Sequence, residues 1–257
     1  MSVFHFKKFD VVNERSAMKV NTDGVLLGAA MTIRQDDRRL LDIGTGTGTI
    51  ALIAAQRVLE IPGQAVGDEK GAVDDVKGSD VMIDAIDIDE PSASEASVNF
   101  HESPWVEHLR AHNLSLQDFA DAESGKYDLI FSNPPYFEDS LAAPDERKSA
   151  ARHTSDGVSY REILDFASER LSENGRVSII LPSEQENDLC RYARMSGLHL
   201  FRILRIRTVP RKQPIRIIAE FSRQRCACPE DGMLTIQNEG QYTEEYLSLT
   251  HDFYLFA

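Results

Sequence analysis

Short apolar runs alternate along this chain with segments in which apolar residues recur three and four positions apart. The first run covers residues 39–43, glycines follow at 44, 46 and 48, and residues 49–59 have helical spacing. This pattern predicts a buried strand, a tight turn and a helix, which is the unit from which parallel sheets are built.

The same alternation continues for most of the chain. Further strands are predicted over 82–88, 109–114, 127–132 and 175–181, and helices over 91–100, 159–171 and 184–195. Two last strands, 198–207 and 214–222, are joined without a helix, which predicts an antiparallel C-terminal hairpin at the sheet edge. We therefore expect an α/β fold with a doubly wound, mostly parallel, seven-stranded sheet of the Rossmann-like kind.

Residues 61–80 are rich in Gly, Asp and Lys without an apolar period, which indicates a mobile surface insertion. The chain has the size of one large core, so a single domain over 1–257 is expected. No signal-peptide-like start, membrane-length apolar run or disulfide pattern is visible, which predicts a soluble cytoplasmic protein. Cys226 and Cys228 are closer together than zinc-binding pairs, so no metal site is expected.

The net charge of −14 at first argues against nucleic acid, because Lys and Arg contacts to phosphates supply most non-specific affinity. The distribution of charge changes that interpretation. Between residues 202 and 225 only Glu220 is acidic, and the basic residues are Arg202, Arg205, Arg207, Arg211, Lys212, Arg216, Arg223 and Arg225. The segment predicts a local basic surface, and a solvated charged face remains the alternative.

Ligands of a doubly wound sheet bind beyond the carboxyl ends of the strands, so the residues after each strand carry the chemistry. After the first strand come Asp42 and a turn that contains Gly44, Thr45 and Gly46. Glycines at such a turn let the backbone approach a ligand and leave amide groups free. A dinucleotide fingerprint would need glycine where this chain has Thr49, so pyrophosphate binding is not predicted. A purely structural turn remains the alternative.

Acidic residues follow the second and third strands. Asp87, next to Ile88, is placed to accept the hydroxyl protons of a ribose, whereas Asp89 fits the cap of the next helix better. After the third strand, the Asp118 carboxylate is predicted to accept a hydrogen bond from an adenine amino group, with the Phe119 ring beside the base. An ordinary turn aspartate is the open alternative for Asp118.

Asn133, Pro134, Pro135 and Tyr136 follow the fourth strand directly. The amino nitrogen of an adenine or an amide is a weak nucleophile, because its lone pair is delocalised into the neighbouring π-system. The Asn133 side-chain oxygen and the Pro134 carbonyl can each accept one N–H, which would direct the lone pair at the methyl group of a sulfonium. Tyr136 can stack on the flat substrate. Asn133, Pro134 and Tyr136 are therefore the predicted catalytic residues for methyl transfer to a planar amino group.

Several motifs along the chain are typical of one family. They are Phe4-x-Phe-Lys-x-Phe9, Met18-Lys-Val-x-Thr-Asp-Gly-Val-Leu-Leu-Gly28, Leu41-Asp-Ile-Gly-Thr-Gly-Thr-Gly48, Ser103-Pro-Trp105, Asn133-Pro-Pro-Tyr-Phe137, Ala151-Arg-His-Thr154 and Asp252-Phe-Tyr-Leu255. Through them the chain resembles the bacterial tRNA adenine-N6 methyltransferases that modify the adenine next to the anticodon of a valine tRNA. Asp87 replaces the usual glutamate of that pattern, and the 61–80 segment is longer than usual.

The resemblance implies S-adenosylmethionine as the cofactor and the anticodon stem-loop of a tRNA as the partner. The implied cofactor-binding residues are Thr22, Asp23, Asp42, Gly44, Thr45, Gly46, Asp87, Ile88, Asp118, Phe119 and Asn133. The implied contacts to the target base are Pro135, Tyr136 and Phe137, and residues 1–36 would form a lid in which Thr22 and Asp23 close over the methionine end of the cofactor. Independently of the family, Lys19, Arg152 and His153 indicate phosphate contacts, and a solvated or ion-paired side chain is the alternative for each of them.

Three alternatives remain open. A glutamine-N5 methyltransferase of a protein such as a release factor would act on the same planar NH2 group, but proteins resembling that family carry a long helical segment ahead of the glycine turn, and here only residues 1–43 precede it. A guanine-N2 RNA methyltransferase would differ in the target base. A cofactor-sensing or RNA-binding scaffold would have no turnover. We expect a monomer that binds neither metal nor membrane.

Overall fold

The computed structural model describes residues 2–60, 80–136 and 157–256. Three of the predicted site residues, Phe137, Arg152 and His153, lie outside the described residues, as does most of the predicted insertion at 61–80. No helix in the described ranges is long and apolar enough to span a bilayer.

The secondary structure follows the predicted alternation of strands and helices. The described strands are β1 Val3–His5, β2 Asp10–Val12, β3 Arg39–Ile43, β4 Met82–Asp87, β5 Leu109–Asn113, β6 Tyr127–Ser132, β7 Leu171–Pro182, β8 His199–Arg207, β9 Arg216–Ser222, β10 Glu230–Thr235, β11 Gln237–Asn238 and β12 Gln241–Tyr242. The described helices are α1 Thr22–Ala30, α2 Thr49–Leu59, α3 Glu90–His101, α4 Leu116–Ala122, α5 Tyr160–Arg170, α6 Glu186–Met195 and α7 Glu244–Thr250.

The central sheet has eight strands in the order β10-β8-β9-β7-β6-β3-β4-β5. Among these described strands only β9 runs against the others, and it pairs antiparallel with both β7 and β8. The doubly wound, mostly parallel sheet and the antiparallel hairpin are thus confirmed. Because the order reverses between β3 and β6, the carboxyl ends of these two strands flank the crevice where such folds bind ligands.

The sheet has one strand more than the sequence predicts. β10 pairs in parallel with β8 and lies outside it, so the hairpin of β8 and β9 is not at the edge. Its sequence is EDGMLT, and only its last two residues, Leu234 and Thr235, are buried. An edge strand held mainly by backbone hydrogen bonds needs no apolar period, which is why the pattern misses it.

Helices cover both faces of the sheet, and alternate strand residues supply both cores. Leu40 of β3 packs in the core beneath α1 and α2, whereas its neighbour Leu41 packs in the core beneath α5 and α6. Successive strand side chains point to opposite faces, so a strand buried on both sides is apolar at most of its positions. The continuous apolar runs of the sequence have this cause.

The N-terminal segment contains elements that the sequence pattern does not predict. In α1, residues 24–30 are all buried, so the helix shows no polar stripe from which a helical period could be recognised. A Cβ atom at Gly28 would lie 2.8 Å from Ile53 Cγ2, which explains the close approach of α1 and α2. The burial of α1 ties this part of the N-terminal segment to the core. Motion of residues 1–36 as a lid stays a prediction.

The basic segment at 202–225 does not form an open basic surface at its first two arginines, Arg202 and Arg205. Arg202 pairs with the buried Glu220 at 2.6 Å, and Arg205 pairs with Glu186 at 2.5 Å. These acids belong to a neighbouring strand and to α6, so their proximity cannot be seen in a linear count of charges. At these two arginines the predicted local basic surface is therefore not formed, because each guanidinium is paired with a carboxylate.

Candidate active site

A cavity of about 960 Å³ opens at the carboxyl ends of β3, β4, β5 and β6. Its lining is formed by Ala17, Met18, Ile43, Gly44, Gly46, Ile86, Asp87, Ile88, Asp89, Ser92, Leu114, Ser115, Leu116, Gln117, Asn133, Pro135, Gly157, Val158 and Glu162. Residues after four separate strands therefore meet in one place, as the sheet order requires.

The glycine turn after β3 is tied to the end of β4. Gly44 has φ +72° and Gly46 has φ +58°, a region that glycine adopts without strain. A Cβ atom at Gly44 would meet no other atom, so this position faces open space. The Gly44 and Thr45 amides donate to the Ile86 carbonyl, and the Gly46 amide donates to Asp87 Oδ2 at 2.8 Å. The amides predicted to be free for a ligand are therefore used to hold the turn.

Asp42 lies behind this turn and is fully buried. Its Oδ2 accepts a hydrogen bond from the Thr45 hydroxyl at 2.7 Å, while its Oδ1 has no partner among the described residues. Burial raises the pKa of Asp42 to about 7, and the Thr45 hydrogen bond opposes that rise only in part. Neither Asp42 nor Thr45 lines the cavity, so both act on it from behind the glycine turn.

Asp87 ends β4 at the cavity wall. Its Oδ1 accepts from the Asp89 amide at 2.9 Å and its Oδ2 accepts from Gly46, so each oxygen retains a lone pair for another donor. Burial raises the pKa of Asp87, and these two amide hydrogen bonds oppose the rise. Ile88 is 52% exposed at the rim. Asp89 caps α3 through the Ser92 amide, as predicted.

Asp118 and Phe119 are not where the sequence places them. Asp118 lies in the first turn of α4, exposed, with its Oδ2 accepting from the Ser115 hydroxyl at 2.6 Å. Phe119 is 1% exposed and packs in the core beneath α5 and α6. Neither lines the cavity; instead the preceding residues 114–117 do. The prediction that the Phe119 ring lies beside an adenine is therefore wrong, because the helix capped by Ser115 turns this ring into the core. The Asp118 carboxylate contacts Ser115, which lines the cavity, so its hydrogen bond to an adenine stays a prediction.

Asn133 and Pro135 line the cavity on the side of β6. Asn133 is only 4% exposed, and Pro134 is buried. The Asn133 side-chain amide donates to Met18 Sδ at 3.6 Å, and its Oδ1 lies 2.9 Å from the Tyr136 hydroxyl. These two contacts orient the amide, so that its oxygen points towards Tyr136 and its nitrogen towards Met18.

Tyr136 lies half-buried beside Asn133 and does not itself line the cavity. Its hydroxyl is also 2.8 Å from Asp23 Oδ2, and the Arg216 guanidinium lies over its ring. Burial and the Asp23 carboxylate raise the pKa of Tyr136 well above its usual value, so the hydroxyl stays protonated at neutral pH. Tyr136 is therefore a hydrogen-bond donor in this site.

The remaining predicted residues lie at or just before the N-terminal end of α1. Thr22 is exposed, and Lys19 is exposed with its Nζ donating to the Glu14 carbonyl at 2.5 Å. Neither they nor Asp23 line the cavity. Sequence reasoning does not single out Met18, Gln117 or Arg216, since none of them carries a recognisable motif role. Only the position of Met18 inside the segment 18–28 could have indicated it.

Sequence comparison identifies relatives over nearly the whole chain. A family model described as an RMKL-like methyltransferase domain matches residues 28–203. A curated tRNA1(Val) (adenine(37)-N6)-methyltransferase from Parabacteroides distasonis is 38% identical, over 98% of this chain and 97% of its own length. Proteins of the same name from Flavobacterium psychrophilum and Yersinia pestis are each 36% identical over 98% of this chain, and 99% and 93% of their own lengths are covered.

Solved structures share the fold at low sequence identity. A methyltransferase from Pyrococcus furiosus has a TM-score of 0.57 and 16% identity, with 84% of this chain and 89% of that chain covered. A predicted O-methyltransferase from Agrobacterium tumefaciens has a TM-score of 0.57 and 14% identity, with 90% and 96% covered. The Rossmann-like methyltransferase fold is thereby confirmed. Together with the full-length relatives at 36–38% identity, it shows that the chain belongs to the tRNA1(Val) (adenine(37)-N6)-methyltransferase family.

Proposed function

We propose that this protein transfers a methyl group from S-adenosylmethionine to the N6 amino group of adenine 37 in tRNA1(Val), the activity for which its relatives are named. The observation that carries the proposal is that Gly44, Asp87 and Asn133 all open into one cavity. A methyl donor held between the first two and an amino group held at Asn133 would face each other at close range.

The donor side of the cavity fits a positively charged nucleoside. Asp87 and Asp89 place two carboxylates at the wall, and each Asp87 oxygen has a lone pair left for a ribose hydroxyl. Gly44 leaves open space where a side chain would intrude. When bound there, S-adenosylmethionine supplies a methyl group activated by its sulfonium.

The acceptor side of the cavity fits a planar amino group. Asn133 Oδ1 accepts one N–H of the amino group, and the Pro134 carbonyl accepts the other. Both hydrogen bonds strengthen as the nitrogen becomes tetrahedral, so they favour the transition state over the ground state. The nitrogen would gain the methyl group as the methyl–sulfur bond breaks, and would then release one of its two protons to water. No strong base has to remove a proton before the transfer, since positioning supplies much of the rate.

The preference for RNA rests on family membership and on the chemistry of the target. An adenine in an anticodon loop is unpaired, so its extrusion into a pocket costs less than extrusion from a duplex. Tyr136 contacts the Asn133 acceptor through its hydroxyl, and stacking of the base on its ring stays a prediction. A cytoplasmic location, a monomeric state and a single domain stay predictions.

The test is methyl transfer from labelled S-adenosylmethionine to a set of matched acceptors. The acceptors are the tRNA1(Val) transcript, the same transcript with guanosine at position 37, ribosomal RNA and a release factor. We expect label in the first acceptor alone, and N6-methyladenosine after its digestion to nucleosides. Label confined to the release factor would identify a glutamine methyltransferase, and methylation of the guanosine transcript would identify a guanine-N2 enzyme; either result would refute the proposal.

A further inference from the structure

Three side chains from distant parts of the chain meet beside the Asn133 turn. The Arg216 Nε donates to Asp23 Oδ2 at 2.8 Å, and the Tyr136 hydroxyl lies at 2.8 Å from the same oxygen. The Arg216 guanidinium carbon is 4.8 Å from the centre of the Tyr136 ring. Arg216 begins β9 and Asp23 lies in the first turn of α1, so only the folded chain brings them together.

This cluster is built into the fold. The Arg216 and Asp23 side chains are 27% and 24% exposed, and Tyr136 packs against the core beneath α5 and α6. A guanidinium over an aromatic face is attracted more strongly when water is largely excluded. The Asp23 carboxylate holds the guanidinium in place, since a charge-assisted hydrogen bond is stronger than a neutral one. The ring of Tyr136 is therefore held on its face by Arg216 and at its hydroxyl by Asp23.

The Tyr136 hydroxyl has one proton and two neighbouring acceptors. These are Asp23 Oδ2 at 2.8 Å and Asn133 Oδ1 at 2.9 Å. The hydroxyl contacts both oxygens, and the carboxylate, as the stronger acceptor, fixes where the hydroxyl lies. The Asn133 nitrogen meanwhile faces Met18 Sδ, which keeps the amide oxygen on the side of the tyrosine. An amide oxygen has two lone pairs, so Asn133 Oδ1 retains one for an incoming N–H group.

We propose that Asp23 and Arg216 are a positioning pair for the target base: they fix Tyr136 beside Asn133, and its hydroxyl in turn holds Asn133 Oδ1 where the amino group of the base has to bind. The inference rests on the proposed function, because it assumes that Asn133 accepts the amino group of the base. It gives Asp23 a role on the acceptor side, in place of the predicted contact with the methionine end of the cofactor.

Steady-state kinetics with tRNA1(Val) test the pair in the variants Asp23→Asn and Arg216→Gln, and isothermal titration measures their cofactor affinity. We expect kcat/KM for the tRNA to fall by at least about tenfold in both variants, because each loses a charge-assisted contact to the tyrosine. Cofactor affinity should stay within about twofold of the wild type, which also reports that the variants are folded. Arg216→Lys keeps the positive charge but lacks the planar guanidinium, so its kcat/KM should lie between those of the wild type and Arg216→Gln.

A matched control is Arg191→Gln. Arg191 forms an ion pair of similar length, 2.7 Å, with Asp188 on the exposed side of α6, and both side chains are more than half exposed. Its loss removes the same charge from the protein without touching a tyrosine, so kcat/KM should not change. A loss equal to that of Arg216→Gln would refute a specific role for Arg216.

A double-mutant cycle separates positioning from general support. Tyr136→Phe keeps the ring and removes the proton, so Asp23→Asn should lower kcat/KM by less than about a further twofold in that background. Fully additive losses would overturn the role of the hydroxyl.

The single variants can also refute the proposal. Weaker cofactor binding in Asp23→Asn with unchanged tRNA kinetics would show that Asp23 contacts the cofactor instead. A lower tRNA KM in Arg216→Gln would show that Arg216 blocks the place of the base. A wild-type protein that fails to methylate tRNA1(Val) would refute the proposed function itself, and this role with it.

Discussion

Asp42→Asn is the substitution whose effect on stability the structure defines best. Asp42 is fully buried, and its Oδ1 has no hydrogen-bond partner among the described residues. Burial raises its pKa from 3.8 to about 7, so the folded protein holds a proton on Asp42 over a range of pH in which the unfolded chain has lost it. The asparagine side chain has a similar shape and does not titrate.

The sign and size of the effect follow from this pKa. Below about pH 4 Asp42 is protonated in both the folded and the unfolded chain, and its full contribution to the free energy of unfolding is present. This contribution is lost as the pH rises from about 4 to about 7, and it does not change further at higher pH. The whole loss is roughly 4 kcal/mol at about 1.36 kcal/mol per pKa unit. Between pH 5 and pH 8 the free energy of unfolding of the wild type should fall by about 2 to 3 kcal/mol more than that of Asp42→Asn.

Urea unfolding of both proteins at pH 5, 6, 7 and 8, without added cofactor, measures this difference. The exposed Asp36 supplies the control, because Asp36→Asn removes a carboxylate from the surface and should leave the pH dependence of the wild type unchanged. If the free energy of unfolding changed with pH in the same way in the wild type and in Asp42→Asn, the reasoning would be refuted. Asp42 would then not change its protonation in this range when the protein is folded.

Three further substitutions separate the roles of the other site residues. Asn133→Ala should lower kcat by about a hundredfold or more while cofactor affinity in isothermal titration stays nearly intact, because only the amino group loses an acceptor; equal losses in both would count against this role. Asp87→Ala should weaken cofactor binding by about tenfold or more, and an unchanged affinity would exclude a ribose contact. Phe119→Ala should lower the free energy of unfolding in urea by about 3 to 5 kcal/mol, because the ring is in the core. A loss below about 1 kcal/mol would contradict that placement.

The apolar pattern of the chain is enough to predict seven of the eight strands described in the central sheet, and the position of the Asn133 turn. Strands buried on both faces are apolar at most positions, so β3, β4, β6 and β7 are recognisable as runs in the chain. The carboxyl ends of parallel strands meet at one edge, so Gly44, Asp87 and Asn133 could be assigned to one site before their distances were known. The capping role of Asp89 is equally local, because it depends on the helix that begins next to it.

Which side chains complete that site depends on contacts between distant parts of the chain, and these exist only in the folded protein. Phe119 follows the correct strand, but the helix capped by Ser115 turns its ring into the core. Arg216 is one of eight basic residues in its segment, and nothing local distinguishes it from the others until α1 brings Asp23 within 2.8 Å. Charge pairs of this kind join residues far apart in the chain, and their energy depends on distance and burial, which a linear sequence does not contain.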